Sequence, residues 1–290
     1  MPDRNADSLA RPSLHWQSQL ILLLVLPLIG VFVLLELIQL WPVSSVPVVA
    51  LAIGAAFAAL VWMLRAATPA ASLTGGLFTM SLYLWTPGWR TLLWSLLALF
   101  LLTFAATRFG RRHKEKLGTA EGKRGRSASQ VAANLGVAVV AGIPLSARHV
   151  WLGIYPRRVA LIAAIASLSE ATADTLSSEL GQVLGGEPRL VTTLRRVPTG
   201  TDGAISLIGT LAGAVGATIV TAVAAIIFHL TPLESAIAVA GGILGLFIDS
   251  LLGATLERCG WLNNDAVNAV STLAAALFVA WAVVAIDSRW

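Results

Sequence analysis

Runs of about 20 apolar residues recur along the chain, near 20–41, 46–64, 69–86, 89–106, 129–147, 157–184, 203–229, 233–256 and 265–286. An α-helix of about 20 such residues crosses a bilayer, because lipid offers the backbone no hydrogen-bond partner and the chain must satisfy itself. The pattern predicts an all-α, polytopic transmembrane helix bundle of about nine spans (eight to nine). Composition agrees: 57% of residues are hydrophobic and 12% charged, against about 25% charged in a soluble domain. Mean hydropathy is +0.80. The single cysteine, Cys259, excludes an internal disulfide framework. Gly142 and Pro144 allow a kinked or re-entrant fifth span. The polar start Met1–Gln19 precedes an apolar run too long for a signal peptide, so that run reads as a retained first helix.

The net charge of +5 would point to nucleic acid if the basic residues were dispersed over a soluble surface. They are clustered instead. Arg108, Arg111, Arg112, Lys114, Lys116, Lys123, Arg124 and Arg126 crowd the connection between spans four and five, which assigns that loop to the cytoplasmic side. Under nine alternating spans the N-terminus, Arg65, Arg189, Arg195, Arg196 and Arg258 fall on the same side. The expected partner is therefore the lipid bilayer and not nucleic acid, and the expected location a multi-pass cell (inner) membrane. Arg148, Arg157 and Arg158 fall on the opposite side, so either span five dips in and returns or that loop tolerates three arginines. Trp16, Trp41, Trp85, Trp89, Trp151, Trp261 and Trp290 lie near span ends, the pattern of an aromatic belt.

The polar residues inside the apolar runs carry the chemistry. Span six contains Ser167, Ser169, Glu170, Thr172, Asp174, Thr175, Ser177, Ser178 and Glu179. At 100° per residue Ser167, Glu170, Asp174 and Ser178 form one stripe. Carboxylates are costly in lipid, so the stripe should face the bundle interior or a wet cavity. Packing through carboxyl–serine hydrogen bonds is the plainer alternative. Span eight repeats the pattern with Asp249, Ser250 and then Glu257. Span nine opens on Asn263, Asn264 and Asp265, with Asn268 a turn later, where helix capping accounts for part of the cluster.

Two Gly- and hydroxyl-rich segments lead into helices from the same side: Gly122–Gln130 into span five and Val197–Ser206 into span seven. Unpaired N–H groups at a helix N-terminus bind phosphate, and arginine adds bidentate contacts. Anion cradles and carboxylates would thus meet on one face. Carboxylate, amide and hydroxyl oxygens suit a hard ion such as Mg²⁺, whereas His15, His113, His149 and His229 lack zinc-ligand spacing. A Mg²⁺-nucleotide phosphate site is the simplest function of these parts. Gly118–Lys123 lacks the spacing and the hydroxyl of a P-loop, and Gly209, Gly213 and Gly216 read as small-residue helix packing.

The stretches Thr68–Gly75, Lys123–Asn134, Ala173–Gly181, Val197–Gly203 through Gly209–Gly213, Asp249–Glu257 and Asn263–Asn268 resemble, in order, the integral-membrane family called domain of unknown function ninety-two. The resemblance runs from about residue 45 to the end, so residues 1–45 are taken as a tail with an additional first helix and 46–290 as the membrane-embedded family domain. The family includes plant plastid enzymes that phosphorylate phytyl monophosphate. The resemblance thus implies a nucleotide-dependent prenyl-phosphate kinase. A fainter similarity to CTP-using lipid-alcohol kinases, at Asp174-Thr175 and Gly209–Gly213, makes CTP the guessed nucleotide. Ala204, Ile205 and Ile208 depart from that pattern, standing where lysines and a glutamate would be.

On this reading Asp174, Glu179 and Asp249 are catalytic and, with Asn264 and Asp265, hold Mg²⁺. Lys123, Arg124, Arg126, Ser127, Gln130, Asn134, Thr199, Gly200, Thr201, Gly203 and Ser206 bind nucleotide or acceptor phosphate. Thr175, Ser178, Ser250 and Asn268 support them, and the prenyl chain occupies a lateral groove. The alternatives are a transporter or flippase of an anionic lipid or metabolite, which Glu170 favours, and a CTP-dependent isoprenol kinase or cytidylyltransferase.

Overall fold

A computed structural model describes residues 14–41, 43–120, 125–146 and 157–287. Among these it has helices α1 (His15–Leu40), α2 (Val46–Met63), α3 (Pro69–Trp85), α4 (Leu93–Arg108), α5 (Arg111–Leu117), α6 (Ala128–Gly142), α7 (Arg157–Leu184), α8 (Leu207–Phe228), α9 (Pro232–Leu252) and α10 (Asn264–Asp287). A two-stranded antiparallel hairpin, β1 (Arg189–Leu190) and β2 (Ala204–Ile205), joins α7 to α8. Each of the nine apolar runs coincides with a helix. Seven of these are long and apolar enough to cross a bilayer, or eight if α4 and α5, bent by 61° at their junction, form one span. The helix outside that count, α3, has 17 residues, most of them buried against protein.

The helix carrying most of the intramembrane polar residues is also the central one. In α7, 94% of the most apolar 18-residue stretch is buried inside the protein, and α8, α9, α10, α6 and α4 pack around it. Its small residues permit this. A Cβ at Gly209 of α8 would stand 2.7 Å from the Ser177 carbonyl, and one at Gly213 2.8 Å from the Ala173 carbonyl, so the α7 and α8 backbones approach closely. The expected small-residue packing is present. α1 keeps its helix through Pro27 and lies against α6 and α10.

α6 ends at Gly142 in a 3-10 turn over Ile143–Leu145, where the Gly-Pro pair stops it. Two of the arginines out of line with the charge rule are used structurally at this end of the bundle. Arg158 forms a two-pronged ion pair with Glu234, Nε to Oε1 at 2.5 Å and Nη2 to Oε2 at 2.6 Å, and Arg157 donates to the Leu145 carbonyl. Arg148 lies outside the described residues. Trp85 is a correction to the aromatic belt. It is 1% exposed, because its ring packs beside Gly142 in the core.

Candidate functional site

At the other end of the bundle, α7 and α9 finish while α6, α8 and α10 begin. Their ends enclose a cavity of about 410 Å³. Asp174 comes from α7 and Asp249 from α9, both half-buried in its wall. The two carboxyls are neighbours in that wall. The Ser271 hydroxyl of α10 donates to Asp249 Oδ2 at 3.2 Å and also stands beside Glu170. The stripe read from span six therefore does face inward: Glu170 is fully buried beneath the cavity, and its Oε1 has no hydrogen-bond partner among the described residues.

The hairpin segment supplies the roof. Thr199, Gly200, Thr201, Asp202, Gly203 and Ser206 all line the cavity. Gly203 has a left-handed backbone, φ +70°, and a Cβ there would lie 2.1 Å from the Ala254 amide nitrogen, so only glycine lets the hairpin sit on the end of α9. That helix end opens into a π-turn over Gly253–Glu257, which lines the cavity with Gly253 and Glu257. Thr201 spends both its amide and its hydroxyl on the Pro198 carbonyl, so it shapes the roof and brings no donor to a phosphate. Ser206 caps α8 by accepting from the Gly209 amide at 3.1 Å.

Arg126 enters from the opposite wall. Its backbone is bridged to Ala67, donating to Ala66 and accepting from Thr68, which ties the approach to α6 onto the α2–α3 turn. Gly125, φ +71°, makes that contact possible, since a Cβ would come within 2.4 Å of the Ala66 carbonyl oxygen. The guanidinium donates to Thr175 Oγ1 at 3.3 Å and faces Asp174. Asn134 and Gln130 line the same wall. Gln130 and Ser127 form a capping box at the start of α6, each side chain accepting from the other's amide. Ser127 is thus a cap outside the cavity lining, contrary to the expected phosphate role. Lys123 and Arg124 lie outside the described residues.

Of the five residues expected to hold one metal ion, Asp174, Glu179, Asp249 and Asn264 line the cavity and Asp265 does not. Asp265 accepts from Ser18 Oγ of α1 at 2.6 Å and does not line the cavity. It follows Asn264 by one residue, so it points about 100° away around α10. Glu179 does line the cavity, but its Oε2 takes an ion pair from Lys114 Nζ at 2.5 Å. Among the described residues no three Asp, Glu, His or Cys side chains are grouped to hold a metal by themselves. Thr175, Ser178, Ser250 and Asn268, expected to support the site, line the cavity.

Sequence reasoning missed Lys114, which lay hidden among the basic residues read as a topology signal. It is 1% exposed, and also donates to the Ala106 and Thr107 carbonyls at 3.1 and 2.8 Å. It missed Asp202, Gln182 and Thr119 as lining residues too. Asp202 stood inside a quoted motif and could have been found there; Thr119 carried no signal at all.

Fold and site together define a polytopic α-helical membrane protein with a hydrophilic cavity enclosed by helix ends. The family described as integral membrane protein DUF92 matches residues 52–276, and the chain belongs to it. It is 45% identical over 122 residues to an uncharacterized membrane protein of Methanocaldococcus jannaschii, covering 42% of this chain and 51% of that one. It is 32% identical over 187 residues to Protein VTE6, chloroplastic, of Arabidopsis thaliana, covering 60% and 53%. An uncharacterized membrane protein of Synechocystis is 35% identical over 207 residues, covering 68% and 76%. The chain thus spans about half the length of the first two relatives. No solved structure matches.

Proposed function

We propose that the chain is a membrane-embedded prenyl-phosphate kinase. It would move the γ-phosphoryl group of a nucleoside triphosphate, with CTP the first to try, onto a prenyl monophosphate. An oxygen of the acceptor phosphate bonds to the γ-phosphorus as the bond to the β,γ-bridging oxygen breaks, leaving a prenyl diphosphate and a nucleoside diphosphate. The observation that carries this reading is the convergence of Asp174, Asp249, Arg126 and the Thr199–Gly203 roof on one cavity. Membership of this family, whose resemblance implies prenyl-phosphate kinase chemistry, supports it.

Phosphoryl transfer needs positioning and charge neutralisation more than covalent help. The wall carries Asp174, Glu179, Asp202, Asp249 and Glu257, an acidic surface that would repel a bare triphosphate but accept one escorted by a cation. Mg²⁺ fits this donor set, since it is commonly bound by one or two carboxylates plus substrate phosphates. Asp174 and Asp249 would hold it, with Asn264 and Asn268 oxygens nearby. When bound, it neutralises charge on the phosphate oxygens. Arg126 orients the acceptor phosphate opposite the roof. No general base is required, because that phosphate is already ionised. The cavity would open to the cytoplasm, where the nucleotide is, in keeping with Arg65, Arg108, Arg111 and Arg126 at this end.

The test incubates detergent-purified protein with labelled nucleotide, Mg²⁺ and prenyl monophosphates of several lengths. Label in prenyl diphosphate, lost in Asp174→Ala, supports the kinase; no transfer with any nucleotide overturns it. A second reading, an anionic-lipid or metabolite carrier, rests on Glu170, whose buried unpaired oxygen lies deeper than surface chemistry needs. Substrate flux into liposomes without product would select it.

A further inference from the structure

Beside the polar cavity lies an apolar groove of about 120 Å³ between α2, α3, α4 and α6. Phe57, Gly75, Leu96, Phe100 and Val131 line it. Phe57 and Phe100 meet edge to face with ring centroids 5.3 Å apart, which pinches the groove between α2 and α4. Its head end is ringed by Arg65, Arg108, Arg111 and Arg126. Arg108 is held by the Leu64 carbonyl at 2.6 Å and lies 4.2 Å above the Phe104 ring. Arg111 pairs with Glu115. The groove and the cavity have two lining residues in common, Arg126 and Asn134. Ala171 of α7 lines the groove, and Asp174 and Thr175, one turn further on, line the cavity.

A molecule spanning this junction must be apolar at one end and anionic at the other, with its charge a few ångströms from the acids. We infer that the groove holds the hydrocarbon chain of a single-chain lipid monophosphate whose phosphate rests at Arg126, and that Phe57, Phe100 and Val131 decide which chains are accepted. The guanidinium matches a phosphate by two parallel hydrogen bonds, which a lipid alcohol cannot offer. The narrow apolar walls accept one chain and penalise a polar one. The inference rests on the kinase reading for the lipid's role as acceptor, while binding itself does not depend on turnover.

The full chain in detergent is titrated with geranylgeranyl monophosphate, with geranylgeraniol and with inorganic phosphate, followed by native mass spectrometry. Mg²⁺-nucleotide binding is measured separately. The lipid monophosphate should bind at least about tenfold more tightly than either half-molecule. Val131→Trp, which fills the groove, should weaken it about tenfold and leave nucleotide binding unchanged. Gly75→Val is the milder plug, since a Cβ there meets the Phe57 ring at an ordinary 3.5 Å. Phe100→Ala should widen the pinch and shift preference several-fold toward bulkier chains. Equal binding by wild type and all three variants overturns the groove. If they alter lipid binding but wild type makes no diphosphate, the groove stands and the kinase reading falls. If wild type makes diphosphate with a KM that Val131→Trp and Phe100→Ala leave unchanged, the kinase stands and the groove falls.

Discussion

The polar cavity and the apolar groove share α7 as a wall and Arg126 with Asn134 as a boundary, yet they are built by different means. The cavity is made where helices end. Caps, a π-turn and a glycine-clasped hairpin leave hydroxyls, amides and carboxylates around one space. The groove is made where helices pass each other imperfectly, with Phe57 and Phe100 bridging a gap between α2 and α4. Irregular backbone at membrane depth is tolerated only where protein or water covers it, so chemistry collects at the cavity. Away from the arginines at its head end, the groove offers mainly apolar shape. A site that joins a charged reaction to a greasy substrate needs both, and the single arginine between them is where they can be joined.

That division of labour can be broken from the cavity side. Asp174→Ala should cost the largest effect, about a thousandfold in phosphoryl transfer, while geranylgeranyl monophosphate binding in the groove changes little; parallel loss of both would mean that the two spaces are not separate. Lys114→Met removes the cation from a pair that is itself buried, and should lower stability by about 3 kcal/mol, read as a fall in Tm in detergent. Adding Glu179→Gln should recover part of that loss, because the carboxylate left behind is the costly element.

Gly203→Val forces a Cβ onto the Ala254 amide at a left-handed backbone and should cost about 2 kcal/mol. It should also loosen the roof, seen as weaker nucleotide binding with lipid binding retained. The smallest change is Ser127→Ala. Losing the α6 cap should cost about 1 kcal/mol. Because the cap sits beside Arg126, it should sharpen the comparison by reducing nucleotide and lipid occupancy together, each a few-fold.

The two regions were unequally legible. Carboxylates and serines inside an apolar run are conspicuous, because each would be expensive in lipid, and Asp174, Asp249, Ser250 and Asn268 do line the cavity. The groove is apolar residues against an apolar background, so no pattern marks Phe57 or Val131 apart from their lipid-facing neighbours. Asp265 misled because adjacency in sequence is not adjacency on a helix; one residue turned it toward Ser18 of α1. Lys114 misled in the opposite sense. A charge rule that works by counting treats every basic residue in a loop alike, and only the bend between α4 and α5 brings this one under the end of α7.

The amino-acid sequence by itself determined that this is a bundle of membrane helices, which segments form them, and which helix could not face lipid. Those are consequences of transfer free energy and helical periodicity, both local to a run of residues. Tertiary structure alone decided which acids meet, which are spent on Lys114 or Ser18, and that a hydrophobic groove abuts the cavity at Arg126. Such pairings depend on how the helices approach one another, where a shift of one turn exchanges every partner, and no single run of residues carries that information.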